Sequence, residues 1–213
     1  MTAGRASRAG TGKRVLGSSI IALVLAPAEA RPQAAPPNYV ELRAARSEDG
    51  VYRFAEYSRF LPGGAVVDTF YIGVPGQNEL YAGAGYPLKP TPTLTVTPLV
   101  YGVVGKENGE RGVALGASVL GTAGQWSVYA FLGYFEPLAG TVPRYLFLDS
   151  LDVSWKLGRW ELGASTGAFH AAAGDWSWLA GPVIVRNDTR GAWRALLRGG
   201  STVEIRLVRT LAF

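Results

Sequence analysis

The stretch that decides the fold is LDVSWKLGRWELGAS, residues 151–165. Large apolar residues alternate in it with polar or small residues on both sides of the turn Leu157-Gly158-Arg159. Alternation with a period of two is typical of β-strands whose two faces meet different surroundings, and the short turn between them indicates a hairpin. In the first strand the apolar face holds Leu151, Val153 and Trp155, and the opposite face holds Asp152, Ser154 and Lys156.

The same alternation continues to the end of the chain, in residues 160–168, 193–197 and 203–213. From Asn38 onward, segments of strand length are separated by turn-forming residues such as Gly, Pro, Asn and Asp. Eleven such turns predict twelve strands. The turns fall at residues 47–50, 62–64, 75–78, 89–92, 105–109, 121–124, 136–143, 157–159, 173–175, 187–191 and 198–200.

Alternation by itself fits a soluble barrel or sandwich as well as a membrane barrel, whereas the placement of tryptophan distinguishes them. If the carboxyl terminus lies on the periplasmic side, four tryptophans on the apolar face fall close to turns on that same side, level with Phe213. This arrangement predicts an aromatic girdle at a membrane interface. Its members are Trp126, Trp155, Trp160, Trp193 and Phe213. Trp176, Trp178, Tyr134 and Tyr145 are expected near the opposite end.

The first thirty residues predict a signal peptide. A basic segment with Arg5, Arg8, Lys13 and Arg14 precedes a twelve-residue apolar run at 15–26, and small residues at positions 28 and 30 fit a cleavage site. A Pro-rich spacer at 31–37 follows. Removing residues 1–30 lowers the formal charge from +5 to +2, because four basic residues and one acidic residue are lost. No basic patch with interleaved aromatic residues remains, so a nucleic-acid partner is not expected.

These features together make residues 38–213 similar to a Gram-negative outer-membrane β-barrel. The last strand, STVEIRLVRTLAF at 201–213, resembles the carboxyl-terminal strand that this class uses as its insertion signal. The resemblance implies contact with outer-membrane lipid and with the barrel-assembly machinery. We therefore expect an all-β, antiparallel up-and-down transmembrane barrel of about twelve strands, within a range of eight to twelve.

Three residues do not fit this pattern. Arg209 falls on the lipid face of the last strand, where an arginine at the membrane midplane costs about 2–4 kcal/mol. Asp149 falls on the apolar face unless a β-bulge at Asp149-Ser150 shifts the register. Glu56 falls on the wrong face of the first two strands, which alternate poorly.

An enzymatic function is not expected. The chain has no cysteine and a single histidine, His170, so no cofactor and no multi-histidine or cysteine metal site is anticipated. The sequence GASTG at 163–167 matches the nucleophile motif of hydrolases, but that motif requires a strand, a turn and a helix, and this stretch lies within a strand. Outer-membrane lipid hydrolases carry a serine two residues after the histidine, where this chain has Ala172.

The predicted lumen face carries charged and small residues. The charged candidates are Arg43, Arg53, Arg59, Lys156, Arg194, Arg198 and Arg206, against Glu41, Asp68, Asp152, Glu161 and Glu204. The small residues, which are expected to leave space, are Ala114, Gly116, Ser118, Gly163, Ser165 and Gly167. Seven basic residues against five acidic ones suggest a narrow passive channel for small solutes with a slight preference for anions. A structural or adhesive barrel, an outer-membrane lipid hydrolase and a soluble lipocalin-like fold are the alternatives.

Overall fold

A computed structural model describes residues 38–213, except residues 49, 107, 108 and 173. The predicted signal peptide at 1–30 and the spacer at 31–37 lie outside the described residues. The described chain folds into thirteen strands: β1 Tyr39–Ser47, β2 Gly50–Phe60, β3 Val66–Val74, β4 Gln77–Gly85, β5 Leu88–Thr91, β6 Leu94–Gly105, β7 Arg111–Ala123, β8 Trp126–Ala139, β9 Tyr145–Leu157, β10 Trp160–Ala171, β11 Ser177–Asp188, β12 Gly191–Gly200 and β13 Val203–Ala212. None of these residues belongs to a helix long and apolar enough to cross a membrane.

Twelve of the strands form one closed antiparallel barrel. Strands that follow one another in the chain pair with each other, and β13 pairs with β1 from Tyr39↔Ala212 to Ser47↔Glu204. The short β5 lies in the connection between β4 and β6. Because β4 and β6 pair directly with each other, β5 is not one of the strands of the barrel wall. Closure gives each of the twelve barrel strands a partner on both sides. The predicted all-β, up-and-down barrel of twelve strands is confirmed.

The two ends of the barrel are named by the chain termini. The lower end contains Asn38 and Phe213, whose backbones exchange hydrogen bonds of 2.6 and 3.0 Å. The upper end contains the connections β1–β2, β3–β4, β6–β7, β8–β9, β10–β11 and β12–β13. Ten of the eleven predicted turns contain or overlap a connection between two barrel strands, whereas 198–200 lies within β12 and the β12–β13 connection is at residues 201–202. The sequence located those connections because glycine, proline and short polar residues are the residues that tight turns require.

The outer surface of the barrel is apolar, and charged side chains lie inside. On β13, Ile205 is 62% exposed while its neighbour Glu204 is 6% exposed. A soluble lipocalin-like barrel would have the reverse arrangement, because water favours charge outside and apolar residues inside. The alternation is therefore that of a membrane barrel.

The first two strands alternate more regularly than the sequence suggested. Glu56 faces the interior, where it lies beside Asp68 across the β2–β3 pair, while Val51 and Tyr57 are exposed. Arg53 and Arg59 are exposed on the outer surface. The prediction that they face the lumen was wrong. It relied on their charge, whereas both residues share a face of β2 with the outward apolar residues Val51 and Tyr57.

Strand β9 contains the bulge that Asp149-Ser150 suggested. Against β8, Phe131 pairs with Ser150 and Leu132 pairs with Leu148, so Asp149 has no direct partner and its side chain is turned inward. The extra residue changes the phase of the strand above it. Tyr145 lies near the upper end, as the sequence predicts, and it faces inward and is buried.

The interior has two different walls. Aromatic side chains from β3, β4, β6, β8 and β9 pack in the upper half, and the buried members of this aromatic layer are Phe70, Tyr81, Tyr101, Phe135 and Tyr145. Phe70 stacks on Tyr81 with ring centroids 4.3 Å apart, and Phe135 stacks on Tyr145 at 4.8 Å. The opposite wall, formed by β12, β13 and β1, carries charged residues.

Two of the small inward residues do not leave open space, because large side chains cover them. A Cβ atom on Gly116 would lie 3.2 Å from the ring of Tyr101, and one on Gly167 would lie 2.9 Å from the Arg198 guanidinium. These small residues thus accommodate large side chains of other strands, which is a close-packed arrangement. The expectation of free volume was wrong at Gly116 and Gly167, whereas Ser118 lines a cavity of about 100 Å³.

Candidate functional site

The candidate site is a network of four arginines and four carboxylates inside the barrel. This arginine–carboxylate network consists of Arg43, Arg194, Arg198, Arg206, Glu41, Asp149, Asp152 and Glu204. Its members come from β1, β9, β12 and β13, which closure of the barrel brings face to face. Because the two charge signs are equal in number, the network is formally neutral.

The upper part of the network is centred on Glu204. Arg198 donates to its carboxylate at 2.6 Å, and Arg206 donates to the other oxygen at 3.1 Å. Arg206 also reaches Asp149 at 2.9 Å, and Arg198 donates to the Asp149 backbone carbonyl at 3.0 Å. The Arg198 side chain is 1% exposed. A buried guanidinium is tolerated when its donors are paired, and these contacts provide that pairing.

The lower part of the network joins β1 to β9 and β12. Arg194 lies 2.9 Å from Asp152 and 3.5 Å from Glu41, and Arg43 pairs with both Glu41 and Asp149. Each of the two arginines also lies over an aromatic ring. Arg43 is 4.0 Å from the centroid of Phe54, and Arg194 is 4.7 Å from that of Tyr129. These cation–π contacts connect the charged wall to the aromatic side of the interior.

Seven of the twelve predicted lumen charges belong to this network, and the other five do not. The network contains Arg43, Arg194, Arg198, Arg206, Glu41, Asp152 and Glu204. Glu161 and Lys156 lie lower, opposite each other on β10 and β9. Glu161 accepts hydrogen bonds from Ser154 at 2.7 Å, from Asn187 at 2.9 Å and from Ser127. These neutral donors stabilise the Glu161 carboxylate, and Lys156 lies directly opposite it across the strand pair.

Two cavities lead from the lower end to the network. The larger, which we call the lower cavity, has a volume of about 430 Å³. Its lining includes the side chains of Lys156, Glu161, Arg194 and Asp152 and the hydroxyls of Ser127, Ser154 and Tyr129. The smaller, of about 100 Å³, lies beside Arg43, Glu56 and Asp68. Leu120 and Tyr129 line both. Above them the interior is filled by the network and the aromatic layer.

The predicted girdle residues lie on the outer surface near the lower end. Trp126 and Trp155 are directly paired across β8 and β9 and make an edge-to-face contact at 4.8 Å. Trp160, Trp193 and Phe213 are exposed on the same surface. Their role at a membrane interface stays a prediction.

Arg209, which the sequence placed on the lipid face, has two local partners. Its guanidinium lies 2.7 Å from Asp188 and 5.1 Å from the ring centroid of Trp193. Both contacts lie near the lower end of the barrel, where the cost of an outward arginine is much smaller than at the midplane.

The hydrolase motif does not form a nucleophile elbow. Residues 163–167 lie inside β10, no helix follows within the described part of the chain, and the hydroxyl of Ser165 is buried beside Ser150. Ser165 and His170 are five residues apart on one strand, which is about 16 Å. His170 is half-buried and stacks on Trp176, with the ring centroids 4.7 Å apart.

Two interior acids were not among the predicted lumen charges. Asp149 faces inward because of the bulge that the sequence allowed at Asp149-Ser150, and the opposite phase of residues 145–148 and 151–157 locates that bulge. Glu79 is buried and accepts a hydrogen bond from Tyr81 at 2.8 Å. With Arg53 and Arg59 outside and these acids inside, the count of seven basic against five acidic lumen residues was wrong.

The fold and the polarity of its two surfaces define a class: a closed, twelve-stranded antiparallel barrel of the transmembrane type, with an apolar exterior and a charged interior. Solved outer-membrane proteins share this fold. A KdgM porin in complex with disordered oligogalacturonate aligns with a TM-score of 0.62 and 13% identity, over 82% of this chain and 99% of that one. The NanC porin aligns with a TM-score of 0.58 and 10% identity, over 82% and 99%.

The outer-membrane protein Omp33 of Acinetobacter baumannii aligns with a TM-score of 0.53 and 13% identity, over 84% of this chain and 99% of that one. No protein-family model matches the sequence, and no curated protein matches it either. At identities of 10–13%, these structural alignments show a common fold and no more.

Proposed function

We propose that this chain is an outer-membrane barrel that acts as a narrow passive channel for small polar solutes, and not as an enzyme. One observation carries the proposal: a charged, hydroxyl-lined interior lies behind an apolar exterior, with a cavity that leads from the lower end to the arginine–carboxylate network. A barrel that only had to fill its interior could do so with apolar residues at no cost in desolvation. Charges inside a barrel set which solutes enter it.

In this proposal, solutes enter the lower cavity and meet the network as the constriction. Arg194 belongs to both, since it lines the cavity and pairs with Asp152 and Glu41. A polar solute can exchange hydrogen bonds with the paired side chains as it passes, so that no charge is left without a partner. The KdgM porin, whose structure contains oligogalacturonate, supports polar and acidic solutes as the first to test.

The proposed location follows from residues 1–30 and from the exterior. The chain is exported through a cleaved signal peptide, and its barrel is inserted in the outer membrane by the barrel-assembly machinery. We expect the mature protein to begin at Arg31 and to remain in the outer-membrane fraction after washing with high salt. Recovery of the folded protein in the soluble periplasm would contradict this location.

Swelling of proteoliposomes in solutes of graded size tests the channel. The wild-type barrel should admit small sugars and acids and exclude larger ones. Ser154→Trp, which places an indole in the lower cavity, should reduce the rate several-fold. Ala164→Trp is the matched control, because Ala164 is exposed on the outer surface of the adjacent strand. Equal rates for the two variants would show that solutes do not pass through the lower cavity.

A structural barrel without transport is the second candidate, and the aromatic layer favours it. Phe135 is 0% and Tyr81 1% exposed, so the upper half of the interior is packed on that wall. If the barrel is purely structural, neither the wild type nor Phe135→Ala should admit any solute. Solute entry through Phe135→Ala alone would indicate a channel that the aromatic layer closes.

A further inference from the structure

A row of alternating tryptophans and arginines crosses four neighbouring strands on the outer surface. Trp160 of β10 pairs directly with Arg186 of β11, Arg186 with Trp193 of β12, and Trp193 with Arg209 of β13. Side chains of directly paired residues on one face of a sheet lie about 5 Å apart. The four residues therefore form one continuous surface, which we call the Trp–Arg row.

The two arginines of the row differ in their partners. Arg209 is paired with Asp188 at 2.7 Å and lies over Trp193. Arg186 is exposed, and its guanidinium lies 5.7 Å from the ring centroid of Trp160. Among residues 38–213 without 49, 107, 108 and 173, no carboxylate side chain is within ion-pair distance of Arg186. An uncompensated guanidinium thus lies between two exposed indoles.

The outer surface of the barrel is polar below the Trp–Arg row and apolar above it. Below it, the turns contribute the exposed Arg159 and Arg190. Asp188, in the same turn as Arg190, already accepts hydrogen bonds from Arg209 and, at 2.8 Å, from the Arg190 backbone N–H. Above it runs a second row of directly paired residues that are all apolar: Leu162, Ile184, Ala195 and Leu207. Leu162, Ile184 and Leu207 are each between 45% and 49% exposed.

We propose that the Trp–Arg row binds the phosphodiester of a glycerophospholipid, with Arg186 as the main ligand. A guanidinium presents two parallel N–H donors that match two phosphate oxygens, and indoles are suited to the level of lipid headgroups. The acyl chains lie along the apolar row that begins at Ile184. The excess of arginine over acid at this end favours an anionic lipid. This inference rests on the proposed location of the barrel in a membrane.

Binding of phosphatidylglycerol to the full chain, refolded in detergent and followed by native mass spectrometry, tests the proposal. Arg186→Gln should weaken binding about tenfold or more, because it removes a charged hydrogen-bonding group. Arg186→Lys should retain part of the affinity, because lysine keeps the positive charge but lacks the two parallel N–H donors of the guanidinium. Arg53→Gln is the matched control: Arg53 is also an exposed outward arginine, but its direct cross-strand neighbours are Ala44 and Gly73.

Three results would overturn the proposal. The first is equal affinity of the wild type and Arg186→Gln, and the second is an equal loss in Arg53→Gln, which would indicate general charge attraction. The third is full displacement of the lipid by inorganic phosphate, which would make the site one for a free anion. Protease protection of each variant in vesicles is measured separately. A barrel that does not insert contradicts the proposed location, whereas an inserted barrel with unchanged lipid affinity contradicts only this site.

Discussion

At the scale of single residues, the interior charges are held by one another rather than by water. Arg198 illustrates the principle, since its nearly complete burial is compatible with a charge because Glu204 and the Asp149 carbonyl accept its hydrogen bonds. Transferring a charge out of water costs free energy. Pairing it with an opposite charge offsets that cost but adds little net stability to the fold. Removing one partner of a buried ion pair should therefore destabilise the fold much more than disrupting an exposed ion pair.

Glu204→Gln should be strongly destabilising. It leaves Arg198 and Arg206 without their shared counter-charge, and breaking a buried pair in this way costs about 3–5 kcal/mol. Glu136→Gln is the control, because Glu136 and Arg144 form an exposed pair at 3.5 Å, worth about 1 kcal/mol or less. Urea unfolding of the refolded barrel measures both. Equal unfolding midpoints for the two variants would contradict the assigned pairing.

Glu110, in the β6–β7 connection, gives the upper end a pH dependence. Burial raises its pKa from 4.5 to about 8, with a contribution from the neighbouring Glu79 carboxylate. Between these two values the folded state binds more protons than the unfolded state, so stability should fall as pH rises. The Tyr81 and Tyr145 hydroxyls also lie against Glu79, at 2.8 and 3.4 Å.

Thermal unfolding between pH 5 and pH 9 measures this effect. The wild type should lose more stability over that range than Glu110→Gln, in which the titrating group is gone. The difference between the two proteins isolates Glu110 from the other carboxylates. Parallel pH profiles would show that Glu110 does not titrate in this range.

At the scale of the strand, β9 shows what alternation can and cannot predict. Residues 151–157 were assigned correctly because each neighbour changes face with a period of two. The phase reverses above Asp149 because the bulge inserts one residue, and a charged residue on the apolar face was the sign of that shift in the sequence. The prediction that Arg53 and Arg59 face the lumen was wrong. A charged residue does not always face the lumen, because outward arginines are tolerated near membrane interfaces.

The last strand should control insertion. Phe213 is 66% exposed at the lower end, and its backbone closes the barrel against Asn38. Phe213→Asp keeps those backbone hydrogen bonds but places a carboxylate in the predicted girdle and at the end of the proposed insertion signal. We expect a several-fold loss of assembled barrel in outer membranes, with refolding in detergent retained. Normal assembly of this variant in cells would contradict the insertion role of the strand.

At the scale of the whole molecule, closure of the barrel creates the candidate site. Glu41 and Arg194 are 153 positions apart in the chain and meet only because β1 pairs with β13 and β13 with β12. The sequence could predict that such residues face inward, but not which of them pair. Likewise it showed small residues at Gly116 and Gly167, but not that Tyr101 and Arg198 would cover them. Partners across a barrel depend on register and rotamer, which alternation does not encode.

The central claim is that solutes pass through the charged interior, and the reversal potential of single channels in planar bilayers tests it most directly. The wild type should give discrete, salt-dependent conductance steps. Replacing Arg194, Arg198 and Arg206 by Gln leaves Glu41, Asp149, Asp152 and Glu204 with only Arg43, so the reversal potential should shift toward cations. The shift should be largest at low salt, because the Debye length is about 10 Å at 0.1 M and shorter at higher concentration. A conducting triple variant with an unchanged reversal potential, or a wild type that is silent at high protein loading, would contradict the claim.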